Sequence, residues 1–234
     1  MKLIENVITE TLNEHHLIET LNLNEKIILE LGCGAASMTQ KIAFTGFERN
    51  IIACETDVIQ HKKNLQLDID NIYFRLGEAQ DIEMKDNSVD IIFMFKSFHH
   101  IPKKFMVKAL SEIKRVLKPN GLAYISEPLF TGSQNELVAM FHDEEKVRID
   151  AFEAIKNCVE TNELKLFKEL FFQTEVNYKN FEDFKEKQMN LTYNSDSSDN
   201  ELEENIKQRY HTFANEDGSA NFLKPFRVDI LQKV

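Results

Sequence analysis

Between residues 26 and 128, short apolar runs alternate with stretches of helical period. That alternation constrains the fold more than any other feature of the chain. "KIILEL", "NIIACE", "NIYFRL", "SVDIIFMF" and "LAYISEP" are too short for buried helices and are bounded by turn residues, as buried strands are. "SMTQKIAF" and "VIQHKKNLQL" read as helices. In "KKFMVKALSEIKRVL", Met106, Ala109, Leu110, Ile113, Val116 and Leu117 share one helix face, and "KPNG" stops the helix with Pro119 and Gly121. Strands that alternate with helices build right-handed βαβ units on a parallel sheet.

The flanks read differently. Ile4, Val7, Ile8, Thr11, Leu12 and Ile18 recur at helical spacing, which predicts an amphipathic helix through residues 1–20. After Pro128, "NELVAMFHDEEKVRIDAFEAIKNCVE" predicts one long helix or two, and "LFKELFFQTEVNYK" a strand. "NFEDFKEKQM" and "ELEENIKQRYHTF" read as helices, and "PFRVDILQKV" as a closing strand. "NSDSSDN", residues 194–200, is polar and rich in breakers, the composition of a mobile loop. With no internal repeat and no linker, one domain with helical embellishment fits better than two.

The chain has 234 residues, 42% of them hydrophobic and 29% charged, as in an ordinary globular protein. Its formal net charge of −11 has the wrong sign for a general phosphate-backbone binder, so no nucleic acid partner is expected. No run approaches the roughly 18 apolar residues of a membrane span. The N-terminus carries acids through its apolar positions and does not read as a secretion signal, so no membrane association and a cytoplasmic location are expected. Cys33, Cys54 and Cys158 are widely separated; they suggest no disulfide framework and no metal site.

Glycine is scarce, seven in the chain, yet Gly32 and Gly34 fall together in "ILELGCGAASM". A turn between a first strand and a first helix is where a doubly wound sheet binds nucleotides, and glycines let backbone N–H groups approach the ligand. A plain turn is the alternative. Glu55 ends the second strand roughly 20 residues on, where an acid accepts ribose hydroxyls. "GEAQDI" offers polar groups after the third strand, where an adenine edge would lie.

With these residues the chain resembles the class I S-adenosylmethionine-dependent methyltransferases of small-molecule type, from about Leu29 to Pro128. The first motif is Glu30-Leu31-Gly32-Cys33-Gly34, the acid of the second is Glu55, the third is "LGEAQDIEMKDNSVDIIFMF", and "ALSEIKRVLKPNGLAYISEP" follows. Ala36 stands where the family often has a third glycine. Ser37 stands at the last position of a dinucleotide G-x-G-x-x-G fingerprint, which disfavours a nicotinamide enzyme. The resemblance implies an α/β fold: a doubly wound, mostly parallel seven-stranded sheet with an antiparallel C-terminal strand and helical cap elements. It implies one Rossmann-like domain: an N-terminal helix in 1–25, a cofactor-binding core in 26–128, cap and acceptor-pocket elements in 129–222 and a terminal strand in 223–234.

The implied cofactor is S-adenosylmethionine, with S-adenosylhomocysteine as product, and the implied reaction is methyl transfer to an N, O or S atom of a small-molecule acceptor. A regulatory module that binds the cofactor without turnover, or a dinucleotide-dependent enzyme of similar topology, is the alternative. Gly32, Cys33 and Gly34 would approach the cofactor's amino-acid part, with Cys33 as small filler. Glu30 would meet its amino group or, alternatively, hold the loop. Glu55, with Thr56 beside it, would bind the ribose, and Asp57 would cap the next helix. Glu78, Ala79 and Gln80 would surround the adenine, and the Phe95 backbone would touch the methionyl group. His99, His100 and Glu127 are the candidates for acceptor binding or proton removal, with packing and capping as the alternative. Arg148, Tyr178 and Arg209 are candidates to recognise an anionic acceptor. The aromatic residues Phe171, Phe172, Phe181, Phe184 and Tyr193 read first as core. A homodimer stays open.

Overall fold

The structure is a computed structural model, and it describes residues 1–5, 7–189 and 200–234. Five strands run parallel, and helices separate all of them except the third and fourth. The strands are β1 (Ile27–Leu31), β2 (Asn50–Glu55), β3 (Ile72–Leu76), β4 (Val89–Phe95) and β5 (Leu117–Pro128). After them β6 (Lys165–Tyr178) and β7 (Ala220–Gln232) complete a seven-stranded sheet of order β3-β2-β1-β4-β5-β7-β6. β7 runs antiparallel between β5 and β6. The order reverses beside β1, which leaves a crevice at the carboxyl ends of β1 and β4, where ligands bind in such sheets.

Strand parity sorts the core into two layers. Ile28, Ile51, Phe93, Tyr124 and Val228 face α1 (Glu14–Glu19) and α2 (Ser37–Thr45). Leu29, Ile52, Ile92, Ile125 and Leu231 face α4 (Lys103–Val116) and α6 (Glu145–Glu160). α4 buries Met106, Ala109, Leu110, Ile113 and Val116, the face read from its spacing. α3 (Val58–Asn64) is capped as expected: the Asp57 carboxylate accepts from Ile59 N at 2.7 Å and Gln60 N at 3.2 Å.

The long helical stretch after Pro128 divides into α5 (Ser133–Ala139) and α6. α7 (Phe181–Phe184) runs into one π turn, Lys185–Met189, and α8 (Asn200–His211) precedes β7. Tyr178, Phe181, Phe184, Tyr210 and Phe222 build a third, aromatic core, so the aromatic residues described there are packing, as read. The loop expected at 194–200 and Tyr193 lie outside the described residues, apart from Asn200, which heads α8.

Several boundaries change. α4 ends at Val116, so Leu117, read as part of its face, and the "KPNG" stretch after it already belong to β5. The helix expected through residues 1–20 is confined to Glu14–Glu19, started by Asn13, whose side chain accepts from His15 N at 3.0 Å. The chain before it lies along the edge of β6: Gln173 N donates to Glu10 O at 2.8 Å and Leu12 N to Gln173 O at 3.1 Å. Unpaired strand groups satisfy this backbone better than a weak helix with no packed face. The terminal strand also starts earlier than residue 223, at Ala220, because it pairs with the far end of β6.

Candidate active site

The turn after β1 is held from three directions. Gly32 N and Cys33 N both donate to Cys54 O at 2.9 Å. The buried Asn64 side chain donates to Gly34 O at 2.7 Å. Ser97, after β4, donates its hydroxyl to Leu31 O at 2.8 Å. The two glycines serve different ends. Gly32 has φ +73°, and a Cβ there would stand 2.6 Å from Ser97 Cβ. Gly34 has φ +52°, and a Cβ there would meet nothing within 4 Å. The first permits close packing, and the second leaves the space above the turn free of side chains. Ala36 holds φ +58°, the conformation in which glycine is usual.

Acids surround this turn. Glu30 shares strand parity with Ile28, so it lies under α2, buried, and accepts from the Thr39 hydroxyl at 2.7 Å. Burial, with Glu55 and Glu14 acting in the same sense, pushes its carboxyl up to about 7 against the Thr39 hydrogen bond. Glu55 accepts from Gly34 N and Thr56 N, each at 2.7 Å, and from Asp57 N at 2.9 Å. Its carboxylate thus joins the glycine turn to the start of α3. Glu14, delivered by α1, is buried against Tyr124, whose hydroxyl donates to it at 3.1 Å. Nothing in the local sequence marks Asn64 as a partner of the turn or Glu14 as a neighbour of Glu30; only the packing of α3 and α1 brings them there. Cys33 is buried, and its thiol is pushed upward, first by burial and then by Glu30 and Glu55, which suits inert filler.

Beyond β3, Gly77 N donates to Glu55 O at 3.1 Å, and Glu78 to Asp81 closes a turn in which Glu78 is exposed, Ala79 buried and Gln80 between. A cavity of about 300 Å³ opens at the ends of β1 to β3, with Leu31, Ile52, Thr56, Gly77 and Glu78 in its wall. The Phe95 ring is stacked on Phe93 at 5.2 Å, inside the core.

His99, His100 and Glu127 do not gather at this crevice. Glu127 has the parity of Ala123 and Ile125 and points to the α4 and α6 face, opposite Glu30. It accepts from Phe98 N at 2.9 Å and pairs with His99 Nδ1. His99 is buried, and its second nitrogen lies 3.4 Å from Glu144. Burial alone would lower its pKa, but Glu127 and Glu144 together raise it to about 9. His100 is more exposed, and partial desolvation, then the charge on His99, push it downward. Glu144 was not singled out from the sequence, since nothing in "FHDEEK" links it to "FHH" across α4 and α5.

The acceptor candidates also separate. Arg148 is half-buried and donates to Glu144 at 2.6 Å, and Tyr178 lies in the aromatic core. Arg209 pairs with Glu136 at 2.6 Å on the wall of a cavity of about 600 Å³ that Phe130 and Met140 also line. Lys224, another residue without a sequence signal, is pushed down to about 8 by burial, with Lys96 and Arg148 adding to the effect.

A family model described as a methyltransferase domain matches residues 29–125. An uncharacterized methyltransferase of Schizosaccharomyces pombe is 36% identical over 115 residues, 49% of this chain and 42% of that protein. A sterol 24-C-methyltransferase of Gibberella zeae is 28% identical over 127 residues, 51% of this chain and 32% of that protein. The matched segment therefore spans less than half the length of these curated relatives. The crystal structure of YcgJ from Bacillus subtilis shares the fold with a TM-score of 0.65 at 17% identity, covering 93% of this chain and 96% of that one. Motif order and sequence match agree over residues 29–125, and this segment is a methyltransferase domain of the class I S-adenosylmethionine-dependent type; the whole chain shares the fold of such structures.

Proposed function

We propose that the chain transfers the methyl group of S-adenosylmethionine to an N, O or S atom of a small-molecule acceptor. The observation that carries this reading is the acid-lined glycine turn. Glu30 and Glu55 place carboxyl groups at the turn, Glu14 lies near enough to Glu30 to raise it, and the space above Gly34 is free of side chains. A ligand bearing an ammonium, a sulfonium and a ribose diol fits that donor and acceptor set. Glu30 would face the ammonium, Glu55 the ribose hydroxyls, and the turn at 78–80 the adenine, with the apolar wall of Leu31 and Ile52 beside it.

When bound, the cofactor supplies an activated methyl on its sulfonium. The chain's own part is to bind, orient and exclude water. Ser97 and Asn64 hold the turn rigid, and Glu127 fixes Phe98 N, which sets the backbone from Phe95 onward against the crevice. Well-oriented reactants can gain roughly 7–11 kcal/mol from such placement. A general base is needed only for an acceptor that arrives protonated. His99 and Glu127, paired and on the far face, support the wall of the site in this reading and do not touch the acceptor.

A small acceptor suits the net charge of −11. It also suits the relative named as a sterol methyltransferase. The cavity between Phe130, Met140 and Arg209 is the space we assign to the acceptor's body. Calorimetry tests the reading: S-adenosylmethionine and S-adenosylhomocysteine should bind near one per chain and NAD should not. Binding of NAD with no response to either sulfur compound overturns it. Pools of candidate acceptors scored for S-adenosylhomocysteine release then find the substrate.

A further inference from the structure

On the other face of the sheet, three imidazoles converge on one carboxylate oxygen. Glu144 Oε1 lies 3.0 Å from His142 Nε2, 3.4 Å from His99 Nε2 and 4.0 Å from His100 Nδ1. One ligand atom each from His99, His100 and Glu144 can be chosen so that all lie within 4.8 Å of one another. They border a cavity of about 280 Å³ between the 3₁₀ turn Phe98–His100, the start of α4 and the start of α6, with His142 and Asp143 on its rim.

The groups behind these atoms are already in place. His99 Nδ1 faces the Glu127 carboxylate, so in the neutral ring Nδ1 carries the hydrogen and Nε2 presents a lone pair toward Glu144. Glu144 Oε2 is held by Arg148 at 2.6 Å, which turns Oε1 toward the histidines. Metal-bound histidines are supported in this way, by a carboxylate on the second ring nitrogen.

A zinc ion with bonds near 2.0–2.1 Å separates neighbouring tetrahedral ligands by about 3.3 Å. The His99 to Glu144 separation of 3.4 Å is close to that, while His100, exposed and 4.0 Å from the same oxygen, would have to turn its ring inward to join. We propose that His99, His100 and Glu144 form a binding site for a first-row divalent cation of the zinc type, with a fourth position open to the cavity. Two imidazoles and a carboxylate suit zinc, cobalt or nickel better than magnesium or calcium, which take oxygen donors. His142, on the same oxygen, orients the carboxylate. The site is separate from the glycine turn, since Glu127 and Glu30 point to opposite faces of the sheet, and the proposal does not depend on the acceptor or on turnover.

The test uses the full untagged chain, stripped with a chelator, at pH 7.5. Zn²⁺ is titrated by calorimetry, and Co²⁺ is followed by its visible absorption, which is intense in tetrahedral sites. The expected result is one ion per chain. His100→Ala and Glu144→Gln should each weaken binding at least tenfold. His100 is exposed, so its variant should keep the native circular dichroism, and it remains informative if Glu144→Gln fails to fold. Absence of binding to the wild-type chain overturns the proposal and leaves a proton between His99 and Glu144. Undiminished binding in either folded variant also overturns it, because the ion then sits elsewhere.

Discussion

At the residue scale, the two glycines of the turn should separate by experiment. An L-residue in the left-handed region costs about 1–2 kcal/mol. Gly34→Ala should lose about that much stability in urea denaturation, since its Cβ meets nothing, yet it should weaken cofactor binding more than tenfold by standing where the ligand approaches. Gly32→Ala should lose distinctly more stability, because its Cβ is driven to 2.6 Å from Ser97 Cβ. Equal losses in the two variants would contradict the division of roles. Glu55→Ala removes a charged acceptor, and such hydrogen bonds contribute roughly 1.5–3 kcal/mol. Calorimetry should show cofactor affinity reduced at least tenfold, with a lowered melting temperature because three backbone N–H groups lose their partner. Glu30 gives a pH signature. Its folded-state carboxyl is raised from the ordinary 4.5 to about 7, so the folded chain holds this proton more tightly than the unfolded one. That contribution is complete below about 4.5 and is lost as pH rises through about 7. Relative to wild type, Glu30→Gln should therefore gain on the order of 1–3 kcal/mol in ligand-free stability between pH 4.5 and pH 8. A pH-independent difference would remove Glu30 from this role.

At the element scale, α4 joins the cofactor core to the elements after Pro128. Its buried face packs under β4 and β5, and α6 lies against it. Ile113, fully buried at the centre of that face, should cost about 2–5 kcal/mol as Ile113→Ala, read as a shift in denaturation midpoint with an unchanged slope. A loss under about 1 kcal/mol would mean that the layer relaxes around the cavity. α1 shows the reverse relation between length and consequence. It has six residues, yet it carries Glu14 onto Tyr124 and Ile18 into the core beneath β1. Its own helical propensity contributes little at that length, and its place follows from what it covers.

At the scale of the whole molecule, β7 decides whether the chain closes. It pairs with β5 from Leu122 to Pro128 and with β6 from Lys165 to Tyr178, and among the described residues no other strand joins those two. It also supplies Phe222, Phe226, Val228, Ile230 and Leu231 to all three cores. A chain ending at residue 219 should therefore lose near-ultraviolet circular dichroism and bind a hydrophobic dye while keeping helical signal, the behaviour of a collapsed but unpacked state. A cooperative thermal transition in that truncation would show that residues 1–219 fold without it.

The elements from β1 to β5 were legible in the sequence because each is short, apolar and bounded by residues that cannot continue it, and because periodicity reports burial directly. The glycine turn and Glu55 were legible for the same local reason: a strand, a tight turn and a helix must follow one another in order. The first twelve residues misled the same reasoning, since spacing alone cannot show that a sheet edge offers Gln173 as a hydrogen-bond partner. His99, His100 and Glu127 were visible as chemistry but not as geometry. Strand parity put Glu127 on the face opposite Glu30, and α6 then brought Glu144 to His99. Local sequence determines what a segment becomes. Which groups meet depends on the side of the sheet they leave from and on what crosses above, and only tertiary packing decides that.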